Sequence, residues 1–349
     1  CRGGSRKKVL FPEPSASSAL HTMSGSPCCP PGSWGNPQAD GGYQHRGEFD
    51  VKAGVNCYVT GASAAKVVIL SFSDVFPCLM DRKREVCDQL AEAIPDSLVV
   101  APDYFNGKPI IDPPNPKAGK FQTIAGMVLS TPRIFYRMRF LHNWSSLGPM
   151  LEGLVKSLRV DHPDAHFFCY GYCFGGYVVC KVCSYLGFSA GLSYHPSPQI
   201  CKMQPSDHRQ TLQELAAAVR CPVLMLPAGN DPDTVKNDGD FIRKLPAGSS
   251  SHTYENMKHG YMSRAALDSG ALTKMMGGGS PEEITAAQAD ALQRTVDFFK
   301  AATEKAQVLA VPAPKSKSEV GGGSNRWAAI VVLISLSAAA IALRRRAKM

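Results

Sequence analysis

Gly171-Tyr172-Cys173-Phe174-Gly175-Gly176 decides the fold, because it stands between an apolar, β-favouring run, His166–Gly171, and a segment with helical apolar spacing, Phe174–Leu186. A strand that ends on Gly-x-Cys-x-Gly and passes straight into a helix is a nucleophile elbow with Cys in place of Ser. The flanking glycines permit the sharp turn and a close helix, so Cys173 stands at the C-terminal edge of a sheet. The same turn aims the Phe174 N–H at a reacting carbonyl oxygen. The helix start also favours negative charge, including a thiolate.

Outward from the elbow, three more short apolar runs read as strands buried on both faces: Lys66–Phe72, Ser97–Ala101 and Pro222–Pro227. Between them, Met80–Ile94 and Thr131–Val160 carry helical spacing, and Ser280-Pro-Glu-Glu opens a helix to about Lys305. Strands alternating with helices predict an α/β fold, a mostly parallel sheet with helices on both faces.

In folds built on this elbow, the acid and then the base follow the nucleophile, each in a loop after a late strand. Leu224-Met-Leu-Pro-Ala-Gly-Asn-Asp231 runs from an apolar strand into a loop with a carboxylate, and His259 precedes Gly260 in a later loop. Cys173, Asp231 and His259 are therefore the candidate catalytic residues. His195, in Tyr-His-Pro-Ser, precedes the acid loop and is assigned a structural or pocket-lining role. Cys180-Lys-Val-Cys183 has redox-motif spacing but falls within the helix after the elbow and reads as packing.

These pieces together resemble the dienelactone hydrolase family of α/β-hydrolases, across roughly 26–305. The matching stretches are Cys28-Cys-Pro-Pro-Gly-Ser-Trp34, Ser73-Asp74-Val75-Phe76, Ala101-Pro-Asp-Tyr-Phe105, the elbow, Tyr194-His-Pro-Ser197, Gly229-Asn-Asp231 and His259-Gly-Tyr261. The resemblance implies a Cys173–His259–Asp231 triad, an oxyanion hole of the Val75 and Phe174 N–H groups, and cleavage of an ester, lactone or thioester through an acyl-enzyme. It also implies a thiol-modulating carboxylate, for which Asp74 stands where the best-studied branch has Glu. Arg264, Lys108 and Tyr104 are the candidate substrate-binding residues. No metal or cofactor is expected, and the partner is a small-molecule ester or lactone. The alternative is a membrane-tethered binding or scaffold protein on the same fold.

The formal charge of +9 suggests nucleic acid until it is located. Residues 1–22 carry +3 and 325–349 carry +5, which leaves +1 for the body. A nearly neutral body excludes a phosphate-tracking surface. The twelve cysteines are scattered through apolar runs and read as reduced core thiols in a reducing compartment.

Residues 1–25 read as a leader outside the fold and 306–326, rich in Pro, Lys, Ser and Gly, as a flexible linker. Trp327 to Leu343 are seventeen uncharged residues, spanning ~25 Å as a helix, and 344–349 form a basic tail. That pattern predicts a transmembrane tail anchor with the catalytic domain facing the cytosol. A short span with a basic end, and a terminal Ala-Lys-Met, fit the mitochondrial outer membrane or a peroxisome.

Overall fold

The computed structural model describes residues 43–79, 81–111, 131–263 and 279–310. Eight strands form one sheet in the order β1-β2-β4-β3-β5-β6-β7-β8. They are β1 Glu48–Lys52, β2 Val55–Gly61, β3 Val67–Phe72, β4 Ser97–Pro102, β5 His166–Tyr172, β6 Ala190–Tyr194, β7 Val223–Leu226 and β8 Ser250–Ser251. From β4 onward across the sheet every pairing is parallel, whereas β1 with β2 and β2 with β4 are antiparallel.

Alternation along the central strands divides the core in two. Val68, Leu70, Phe72, Phe167 and Cys169 face one layer. Val67, Ile69, Phe168, Tyr170 and Tyr172 face the other. Against the first layer pack α2 Trp144–Asp161, α3 Phe174–Tyr185, α4 Leu212–Ala218 and α5 Asp240–Lys244. Against the second pack α1 Asp81–Ala93 and α6 Pro281–Ala310. Because both faces are covered, the central strands are largely apolar, and β3 is buried at all six positions.

Two local departures from the sequence expectations have physical causes. The single helix expected over Thr131–Val160 is interrupted: a π-helical turn at Arg137–Leu141 ends in a non-helical His142, and α2 starts afresh at Trp144. Asn143 caps it, its side-chain oxygen accepting from the Ser146 N–H, which stands in for an intrahelical bond. The antiparallel β1 went unread because it is largely exposed and alternates Glu, Phe, Asp, Val and Lys, without the continuous apolar run of a buried strand.

The expected membrane helix and the location drawn from it are corrected. Among the described residues no helix is long and apolar enough to cross a membrane, and 327–343 lie outside those residues. The longest helix among the described residues, α6, has thirty residues, but Glu282, Glu283, Asp290, Arg294, Asp297, Lys300, Glu304 and Lys305 lie along it. It is a surface helix with one apolar stripe, Ile284, Ala291, Val296 and Phe299, laid on the sheet. The mitochondrial outer membrane, the peroxisome and a cytosol-facing tail anchor therefore have no support in the fold. The leader 1–25, the motif Cys28–Trp34, the linker beyond 310 and the basic tail also lie outside the described residues.

Candidate active site

Cys173 joins β5 to α3 with φ 50° and ψ −108°, a backbone conformation that residues with a Cβ rarely adopt. Such strain persists only where neighbours over-determine it. Here the Cys173 N–H donates to the Tyr194 carbonyl at 3.2 Å, and its carbonyl accepts from the N–H groups of Gly176 at 2.9 Å and Ser197 at 3.0 Å. Gly171 makes the turn feasible: a Cβ there would lie 2.4 Å from the carbonyl carbon and oxygen of Gly175. We expect Gly171→Ala to lower stability by about 3 kcal/mol, as overpacking against backbone does. A denaturant midpoint within error of wild type would refute that.

The thiol itself differs from its fellows. Nine free cysteines are described, and eight are buried; Cys173 alone retains partial exposure. Burial pushes the thiols of Cys57 and Cys87 up to about 12, which suits packing and not nucleophilic chemistry.

Two loops beyond the sheet edge bring the acid and the imidazole together. The loop after β7 and the loop after β8 are stitched by an isolated bridge, Ala228 to Tyr254, and by the Gly229 N–H, which lies between the carbonyls of Tyr254 and Met257. A Cβ on Gly229 would come within 2.0 Å of the Glu255 carbonyl oxygen, so only glycine allows that approach. Asp231 is buried, 5% exposed. Its Oδ2 accepts from the Ala228 N–H at 2.8 Å, and its Oδ1 is 2.5 Å from His259 Nδ1. Asn230 adds a bond from the His259 N–H to its Oδ1 at 2.6 Å.

The His259 side chain hydrogen-bonds Asp231 on one side and Cys173 on the other. Burial opposes the charged imidazole, but the negative charge of Cys173 and the bond to Asp231 outweigh it and hold His259 well above its ordinary value. The three residues singled out from the sequence thus lie in one hydrogen-bonded chain.

Across the elbow, the loop after β3 carries Ser73, Asp74 and Val75. The Val75 carbonyl accepts from the Ile111 N–H at 3.0 Å, and Tyr104 donates to the Ser73 carbonyl at 2.5 Å. Phe174 is the first residue of α3, a position whose N–H has no intrahelical partner. The two expected oxyanion donors therefore sit in a loop braced from behind and at a helix start.

Other expected roles are redistributed. Asp74, expected to act on the thiol, is instead engaged by Lys83, whose Nζ lies 2.7 Å from Asp74 Oδ1 and also donates to Ser73 Oγ and the Pro77 carbonyl. Both side chains are buried, at 2% and 4% exposure for Lys83 and Asp74. Asp74 Oδ1 further accepts from the Phe76 N–H at 3.0 Å, so this carboxylate holds its own loop. Tyr104, expected at the substrate, is buried and spends its hydroxyl on Ser73. Lys108 is exposed in the turn after β4, and Arg264 lies outside the described residues.

Lys83 and Ser197 are the functional candidates that the sequence did not single out. Lys83 sits in a charged stretch, Asp-Arg-Lys-Arg-Glu, that looks like a solvated helix face; nothing local distinguishes it. His195 is fully buried, and its ring packs edge-on to His259 with centroids 4.9 Å apart. That contact places His195 beside the imidazole. Among the described residues no cluster of His, Cys, Asp and Glu is placed to hold a metal ion.

The model of the dienelactone hydrolase family matches residues 55–303. Two uncharacterized AIM2 family proteins of Schizosaccharomyces pombe are similar to this chain: one is 30% identical over 247 residues, 68% of this chain and 88% of its own length. The second is 29% identical over 249 residues, 69% of this chain and 89% of its own. The crystal structure of a dienelactone hydrolase from Anabaena variabilis aligns with a TM-score of 0.46 at 13% identity, covering 74% of this chain and 99% of that one.

Proposed function

Because this chain belongs to the dienelactone hydrolase family, we propose that it is a thiol hydrolase of esters, lactones or thioesters in which Cys173 is the nucleophile. The observation that carries the reading is the bonded chain from Asp231 through His259 to a partly exposed Cys173 at a helix start.

The Cys173 thiolate attacks the substrate carbonyl carbon, and the oxygen takes up the negative charge facing the Val75 and Phe174 N–H groups. Collapse breaks the bond to the leaving group, which receives the proton carried by His259. A water then gives a proton to the same nitrogen as its oxygen attacks the acyl carbon, and the sulfur leaves as thiolate. The products are the carboxylic acid and the alcohol or thiol; a lactone yields one hydroxy acid. Asp231 keeps the Nδ1 proton in place, so that the nitrogen facing Cys173 does the proton transfers. We assign this work to a domain at 26–305.

The test is steady-state hydrolysis of a panel of activated esters, lactones and thioesters by the full chain, with mass spectrometry of the quenched enzyme. Acyl adducts on the Cys173 peptide, and loss of turnover in Cys173→Ala, are expected. Equal rates in wild type and Cys173→Ala would sink the assignment and leave the alternative of a binding protein on this fold.

A further inference from the structure

The carboxylate at position 74 bonds Lys83, and the side chain beside the thiol is that of Ser197. Its Oγ lies 3.5 Å from Cys173 Sγ, within hydrogen-bond range for sulfur, and the residue is 6% exposed. Its backbone is locked to the nucleophile's own residue, the Ser197 N–H donating to the Cys173 carbonyl at 3.0 Å. The preceding turn is held from the same side, since Tyr194 accepts from the Cys173 N–H. Sulfur and hydroxyl are therefore placed by two main-chain bonds and not by a flexible side chain.

A second observation shows that this hydroxyl is reserved. Ser197 is the residue before the 3₁₀-helix Pro198–Met203, where a serine ordinarily accepts a hydrogen bond from a free N–H of the first turn. Its side chain makes no such cap. It forgoes that bond and points at the sulfur.

We propose that Ser197 is a further catalytic residue, the hydroxyl that donates to the Cys173 sulfur and stabilises its thiolate form for attack on substrate. The proposal rests on Cys173 being the reactive thiol. A hydroxyl has one proton to give and stays uncharged, so it stabilises the thiolate without repelling it, which a carboxylate in its place would do. Facing the sulfur is His259, with Asp231 behind it. His195 lies against His259.

The experiment is alkylation of the full chain with iodoacetamide between pH 5 and 9, in which the sulfur displaces iodide, read by mass spectrometry on the peptide containing Cys173. Ser197→Ala is expected to react about tenfold more slowly than wild type at pH 6, a loss on the scale of one hydrogen bond to a charged group, yet within twofold at pH 9, where deprotonation no longer limits. Ser197→Thr, which keeps the hydroxyl, is expected to restore the rate at pH 6. Equal or faster alkylation of Ser197→Ala at pH 6, or an equal fall at both pH values, would overturn the proposal, the latter marking Ser197 as merely structural. Because alkylation needs no hydrolysis, this outcome is separate from the turnover comparison with Cys173→Ala.

Discussion

Asp231→Asn is expected to lower kcat/KM toward an activated ester by roughly 10³ to 10⁴-fold at neutral pH, the scale seen when a triad carboxylate becomes an amide. The reason lies in which atoms the side chain must satisfy. Asp231 uses Oδ2 to accept from the Ala228 N–H and Oδ1 to accept from His259 Nδ1. An amide has one oxygen for these two demands. The buried Ala228 N–H takes it, since an orphaned backbone donor is costly, and the amide NH₂ then faces Nδ1. That nitrogen becomes an acceptor, the proton moves to Nε2, and the imidazole presents N–H where it has to receive a proton. The shape of the site survives while its proton bookkeeping is reversed. Thermal unfolding close to wild type alongside the rate loss is the full expectation; a loss under tenfold would show that Asp231 does not set the tautomer.

Lys83→Met is expected to destabilise the fold by about 3–5 kcal/mol, the cost of leaving one member of a buried ion pair without its partner. Lys83 and Asp74 are almost fully removed from water, and the ammonium also bonds Ser73 Oγ and the Pro77 carbonyl. Methionine fills the volume but leaves the Asp74 charge bare. The double variant Lys83→Met with Asp74→Asn distinguishes charge from packing, because an amide oxygen at position 74 still accepts from the Phe76 N–H. It is expected to regain most of the lost stability in urea unfolding. A single variant within 1 kcal/mol of wild type would mean that the pair does not carry the loop. The same variant should also slow hydrolysis, since this loop presents Val75 to the developing oxyanion.

These two positions show where reading a sequence succeeds and where it stops. The elbow was legible because its logic is local: a strand, a turn that only glycine at 171 can complete, and a helix follow within about ten residues. Strands β3, β4, β5 and β7 were legible because burial on both faces demands an unbroken apolar run. The order of Cys173, Asp231 and His259 is a property of the chain, so their loops were visible before any contact was known. By contrast β1, exposed and alternating in character, left no such signature.

What only the tertiary structure decided is how polar atoms share partners. Lys83 and Asp74 are nine residues apart across a loop-to-helix turn, Tyr104 and Ser73 thirty-one, and Ser197 and Cys173 twenty-four. Apolar burial is additive along a segment and leaves a periodic trace in composition. A hydrogen bond is a short, directional contact between two particular atoms, and its existence depends on backbone positions set by the whole sheet. The sequence thus determined strands β3, β4, β5 and β7, the elbow and the candidates for the chemistry. The three-dimensional packing decided that Asp74 holds a loop, that Tyr104 braces it, and that a serine hydroxyl faces the sulfur.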